Sequence, residues 1–203
     1  MHIVDGALSD PVVIGGGLLA ALGVAYGLKQ IDAEKIPQAG ILSATFFIAS
    51  LIHIPLGPSS VHLILNGLLG LTLGWAAFPA LLIALLLQAV FFGYGGFVVL
   101  GVNVLNIALP AILMGVLCRR MVMQSKPRTA AIWGAIAGGG AILLTALFVA
   151  GSLALSGEEF LPAAKLVILS HLPVVVVEAL LTGAAVLLIR RVRPDFFGEV
   201  LDE

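Results

Sequence analysis

Residues 162–193 read PAAKLVILSHLPVVVVEALLTGAAVLLIRRVR. A helix of about 20 apolar residues crosses the hydrocarbon of a bilayer. This run is long enough, opens on a proline suited to a first helical turn, and closes on Arg190, Arg191 and Arg193. It reads as a membrane span with a basic flank. Working back along the chain, the same pattern recurs. Apolar runs cover about Pro11–Leu28, Pro37–His53, Val61–Trp75, Pro79–Phe92, Phe97–Leu117 and Thr129–Leu155. The short alternating segments of a transmembrane barrel are absent. The expected fold is an all-α integral membrane protein, a bundle of about seven transmembrane helices forming one domain over residues 1–203.

Composition agrees. Of 203 residues, 61% are hydrophobic and 10% charged, where a soluble domain has about a quarter charged. A net charge of −1 suggests no nucleic-acid partner. The single cysteine, Cys118, excludes an internal disulfide and a Cys-rich zinc site. The punctuation between spans is polar or helix-breaking. Ser9-Asp10-Pro11 reads as a helix start, and Ile54–Ser60, with Pro55, Gly57 and Pro58, as a break. Gly93–Gly96 reads as a bend, Cys118–Arg128 as a basic loop, and Pro110 and Pro173 as kinks. The glycine pairs Gly23/Gly27, Gly70/Gly74 and Gly134/Gly138 read as close helix packing.

Lysine and arginine set the orientation. With seven spans and the N-terminus outside, nine of the ten fall on inner segments and only Lys165 lies outside. The C-terminus is then cytoplasmic. A positive segment leading to a small-residue cleavage site is missing from the start, so the N-terminus is expected to persist. His2 is bulky, and Met1 is expected to stay.

The four histidines, His2, His53, His62 and His171, all gather toward the outer face in this topology. Imidazole is the commonest protein ligand for nickel, cobalt, copper and zinc. At the tip, the Met1 amine, the His2 amide and the His2 Nδ1 supply three nitrogens in two fused chelate rings. A further imidazole fills a square plane, which suits Ni(II) or Cu(II), with Co(II) possible, and does not suit tetrahedral zinc. The plainer reading of Met1-His2 is an accident on a loose end. His62, after the proline loop, is favoured as the fourth ligand; for His53, ligation and a plain interfacial role weigh equally. Asn103 and Asn106 share a face of the fifth span and bridge helices or orient a ligand segment. Glu178, in the membrane and on the face of His171, is a functional candidate: it orients a histidine, pairs with a partner subunit or bonds within the bundle.

These residues resemble a known family. Met1-His2-Ile3-Val4-Asp5-Gly6, Gly57-Pro58-Ser59-Ser60-Val61-His62-Leu63, Gly95-Gly96, Leu100–Asn106 and His171-Leu172-Pro173 with Glu178 are similar to the substrate-capture subunit of the energy-coupling-factor transporters for cobalt and nickel, the CbiM/NikM family. The resemblance covers essentially the whole chain. It implies that residues 1–10 fold back into an outward-opening pocket and that Met1, His2 and His62 hold transported Co(II) or Ni(II). His53 is a second candidate ligand or a neighbour of the shell; Ser59, Ser60, Asn103, His171 and Glu178 are candidates for the surroundings of the ligands. It implies no resident cofactor and no ATPase in this chain, which has no Gly-rich phosphate loop followed by Lys. The implied partners are a coupling transmembrane subunit, cytoplasmic ATP-binding subunits, a small additional membrane subunit and membrane lipid. The implied location is the bacterial inner membrane. Where some relatives carry an acidic residue before the paired glycines, this chain has Tyr94.

Two other classes stand beside this one. A Ser59–His171 dyad would make an intramembrane protease, but leaves Met1-His2 and His62 without a role. An autonomous cation channel or secondary transporter would move metal without ATP-binding partners.

Overall fold

The structure, a computed structural model, describes residues 2–51, 53–56 and 59–197, with the backbone alone at 34, 53–56 and 59–61. Ser9-Asp10-Pro11 does begin the first helix, α1 (Asp10–Leu28). The capping is done by the Ser9 carbonyl, which accepts from the amides of Val12 and Val13. Pro11 sits in the first turn, where no amide hydrogen is needed. The remaining helices are α2 (Ile36–Ala49), α3 (Asn66–Leu73), α4 (Ala77–Phe92), α5 (Leu100–Gln124), α6 (Pro127–Ala154) and α7 (Leu161–Val192). Among the described residues, five helical stretches are long and apolar enough to cross a bilayer, and α2 is a shorter apolar helix. The protein is a helical, multi-pass membrane bundle.

Its exterior is greasy, and its apolar core also encloses a set of polar side chains. Leu22, Phe91, Val116 and Leu180 are exposed, while His62, Asn66, Gln88, Asn103, Thr145, His171, Glu178 and Thr182 are buried. A lipid solvent selects this arrangement: apolar side chains face outward and polar groups turn inward, some of them paired, as Asn66 is with Thr145.

Two expected boundaries are corrected. No third span runs from Val61 to Trp75. Its first part is the second strand of an antiparallel hairpin, β1 (His53–Leu56) and β2 (Ser59–His62), with His53 opposite His62 and Pro55 opposite Ser60. Prolines cannot donate to a helical ladder, so the segment pairs with itself instead. The helix that follows, α3, has 8 residues, about 12 Å of rise against a core of about 30 Å. The Cys118–Arg128 loop is likewise mostly helix, since α5 continues to Gln124. Arg119 is accommodated there because its guanidinium donates to the Phe197 carbonyl at 3.1 and 2.9 Å. The helices run through Pro110 and Pro173.

Neighbours fix the direction of each element. Asn66 lies beside Ile107, and Gly70 packs against Ala111 and Gly115, so α3 runs alongside α5 in the same sense. At Gly74 the chain turns with a positive φ (+53°), which favours glycine. From there α4 runs back. Phe78 packs on Gly23 of α1, the Gln88 side chain donates to Ser50, and Tyr94 after the helix reaches His2. The hairpin with α3 thus forms a descending arm and α4 the returning one. His2 and Asn103 mark one end of the bundle, Arg119 and Phe197 the other. The remaining paired glycines sit at crossings: Gly27 against Trp75 and Pro79, Gly134 and Gly138 against Val186 and Thr182 of α7.

Candidate metal-binding site

The N-terminal segment is held by side chains far away in sequence. Ile3 N–H donates to Asn103 Oδ1 at 2.9 Å, and Asn103 Nδ2 donates back to the Ile3 carbonyl at 3.0 Å. One buried amide therefore grips both polar groups of one residue's backbone. Each such bond contributes about 1 kcal/mol net, and leaving a partner unpaired costs about 1–3 kcal/mol. Asp5 Oδ1 accepts from the amides of Val98 and Val99, both at 3.1 Å, at the start of α5. A carboxylate there meets the positive end of the helix dipole of α5. A Cβ on Gly96 would collide with the Asp5 carboxylate, and Gly95 (φ +77°) lies against Asn103 and His2. Ile3, Ala7 and Leu8 add apolar anchorage beside Val99, Val102 and Val149.

This anchorage buries His2. Its ring stacks on His62 with centroids 4.6 Å apart and planes 22° apart, and lies 6.3 Å from the Tyr94 ring. His62 ends β2 and is itself buried. Its Nδ1 is 2.9 Å from the Leu63 carbonyl oxygen. A carbonyl only accepts, so Nδ1 carries the hydrogen and Nε2 presents a bare lone pair. His62 Nε2 has no hydrogen-bond partner among the described residues. Burial, reinforced by the neighbouring His2, pushes the His62 imidazole well below its ordinary value of 6.5 and keeps it neutral.

His171 and Glu178 occupy α7. His171 Nδ1 lies 2.5 Å from the Val167 carbonyl one turn earlier, and its Nε2 is also unpartnered among the described residues. Glu178 orients no histidine directly. Its carboxylate accepts the amides of Ile64 and Leu65, just beyond His62. Asn106 exchanges hydrogen bonds with Ser152 of α6 rather than sharing the duty of Asn103. Met1 lies outside the described residues, as do the side chains of His53, Ser59 and Ser60; their backbones place His53 across the hairpin from His62. Among the described residues, no group of three or more His, Cys, Asp or Glu side chains is placed to hold a metal. The structure therefore brings together His2, His62, Asn103 and, through the backbone, Glu178. Asp5 is a functional residue that the sequence reading did not single out; its place in the polar opening Ile3-Val4-Asp5-Gly6 was the available signal.

Residues 2–196 match the family described as the cobalt uptake substrate-specific transmembrane region, CbiM. The chain belongs to that family. A Haemophilus influenzae protein named for metal transport is 40% identical over 202 residues, covering 96% of each chain. A solved crystal structure, described as that of a truncated transition metal transporter, is 30% identical with a TM-score of 0.74, and the match covers 94% of this chain and 99% of that one. A fused nickel transport protein, NikMN, of Rhodobacter capsulatus is 36% identical over 115 residues; the match spans 53% of this chain and 33% of the fused protein. As a CbiM-family chain, this protein is a membrane component of metal transport.

Proposed function

We propose that this protein captures Co(II) or Ni(II) at the His2 end of the bundle, as the substrate-binding subunit of an ATP-driven energy-coupling-factor importer. The Met1 amine, the His2 amide and the His2 imidazole supply three nitrogens, and His62 Nε2 supplies the fourth. The observation that carries this reading is the buried His2–His62 pair. Their ring centres are 4.6 Å apart, within the span open to two imidazoles whose nitrogens each lie about 2.0–2.1 Å from a shared ion. Four nitrogens in a plane suit Ni(II) and Co(II) better than Zn(II). His53, across the hairpin, is the alternative ligand.

The charge distribution supports an outward-facing His2 end in the bacterial inner membrane, with Arg119, Arg120, Arg190 and Arg191 cytoplasmic. ATP hydrolysis belongs to cytoplasmic partner subunits, joined through a coupling membrane subunit and a small additional one. A relative fused to further transport sequence supports membrane partners. Metal titration of the purified protein tests the reading. The native N-terminus binds one Co(II) or Ni(II) per chain, and a single residue added before Met1 lowers affinity more than about a hundredfold, beyond the range typical of groups that only orient a ligand. Equal binding by the extended chain overturns the assignment.

A further inference from the structure

Glu178 is fully buried in α7, where Gly138 of α6 packs against its carbonyl and Thr182. Its carboxylate acts only as an acceptor. Oε1 takes the Ile64 amide, and both oxygens lie 3.0 Å from the Leu65 nitrogen. Leu65 is the one non-glycine residue with positive φ among the described residues, at 53°, a conformation most side chains avoid. The Ile64 N–H and the Leu63 C=O are the two ends of a single planar peptide group, pointing in opposite directions when trans. The Leu63 carbonyl is the group His62 Nδ1 donates to, at 2.9 Å.

We propose that Glu178 is a positioning residue for the metal site, acting on His62 through this one peptide group. The carboxylate holds and polarises the Ile64 amide. The Leu63 oxygen at the other end becomes a stronger acceptor, fixes the hydrogen on Nδ1 and leaves Nε2 as a more basic donor to a divalent d-block cation. A carboxylate that contacts a ligand histidine directly does the same; here a peptide group stands between them, and hydrogen bonds in series reinforce one another. The contact with Leu65 locks the turn that places His62. This inference rests on His62 as a ligand.

The test is Glu178→Gln, which keeps the shape and removes the charge, measured in two ways. Nitrogen-15 spectra of the metal-free protein read the His62 tautomer, and Co(II) titration reads affinity. The expected result is an Nδ1–H tautomer in the wild type, a loss of that preference in E178Q, and Co(II) binding weakened about ten- to a hundredfold. A His62 tautomer unchanged in E178Q, or E178Q affinity equal to that of a wild type that binds, overturns the proposal. If E178Q does not fold, the wild-type spectrum decides alone: an Nε2–H tautomer overturns the relay and an Nδ1–H tautomer supports it. A wild type that binds no Co(II) counts against the transport reading, while the tautomer comparison still tests the relay.

Discussion

The two ends of this bundle both bury polar groups, and they use them differently. At the arginine end, most guanidinium donors close the chain, and Arg190 Nε alone of its nitrogens has no partner among the described residues. Arg119 donates twice to the Phe197 carbonyl, and Arg190 donates to the carbonyls of Met123, Ser125 and Pro194. At the histidine end, Asp5, Asn103 and Glu178 also grip backbone, but the groups they place are imidazoles, and His62 Nε2 is left uncommitted among the described residues. A buried polar atom without a partner is expensive. One kept beside a second buried imidazole marks where something is received. The arginine end is a fastening; the histidine end is the proposed receptor.

Breaking the receptor at its ligand should have the largest effect. His62→Ala is expected to weaken Co(II) binding by about a hundredfold or more, and His171→Ala by less, because only the former removes a donor from the paired rings. Titration of the purified variants checks both. Asn103→Leu comes next. It leaves the Ile3 amide and carbonyl unpaired, and affinity should fall roughly tenfold while the protein still folds. Asp5→Asn should cost only a few-fold in affinity, since the amide oxygen still accepts from Val98 and Val99 and about 1 kcal/mol of charge assistance is lost. Arg119→Met should leave affinity unchanged and lower the thermal midpoint by a few degrees. A large loss of binding in Arg119→Met would erase the distinction between the ends.

Much of this was legible in the sequence because lipid imposes a coarse code. Long apolar runs such as 162–189 and the clustering of arginine near Cys118 and Ile189 were enough to find most helices. The histidines stood out as costly residues in an apolar chain. Other features left weaker marks. The prolines at 55 and 58 showed that the helix must break, but not that the segment pairs with itself across His53 and His62. Arg119 and Arg120 look like a loop until the Phe197 carbonyl is seen to receive Arg119. The work of Glu178 was hidden for a general reason: its partners are backbone amides, which every residue carries, and they lie more than a hundred positions away in the chain. Asp5 was hidden in the same way, its acceptor role reaching amides on the far side of four helices in the sequence.

The central claim is that a metal ion is held by nitrogens from the His2 tip and from His62. X-ray absorption spectroscopy of the Ni(II)-loaded protein, with and without His62→Ala, tests it most directly. The account predicts a square-planar shell of nitrogen donors with scattering from two imidazole rings in the wild type, reduced to one ring when His62 is replaced. An oxygen-rich six-coordinate shell, or a spectrum indifferent to His62→Ala, would contradict it.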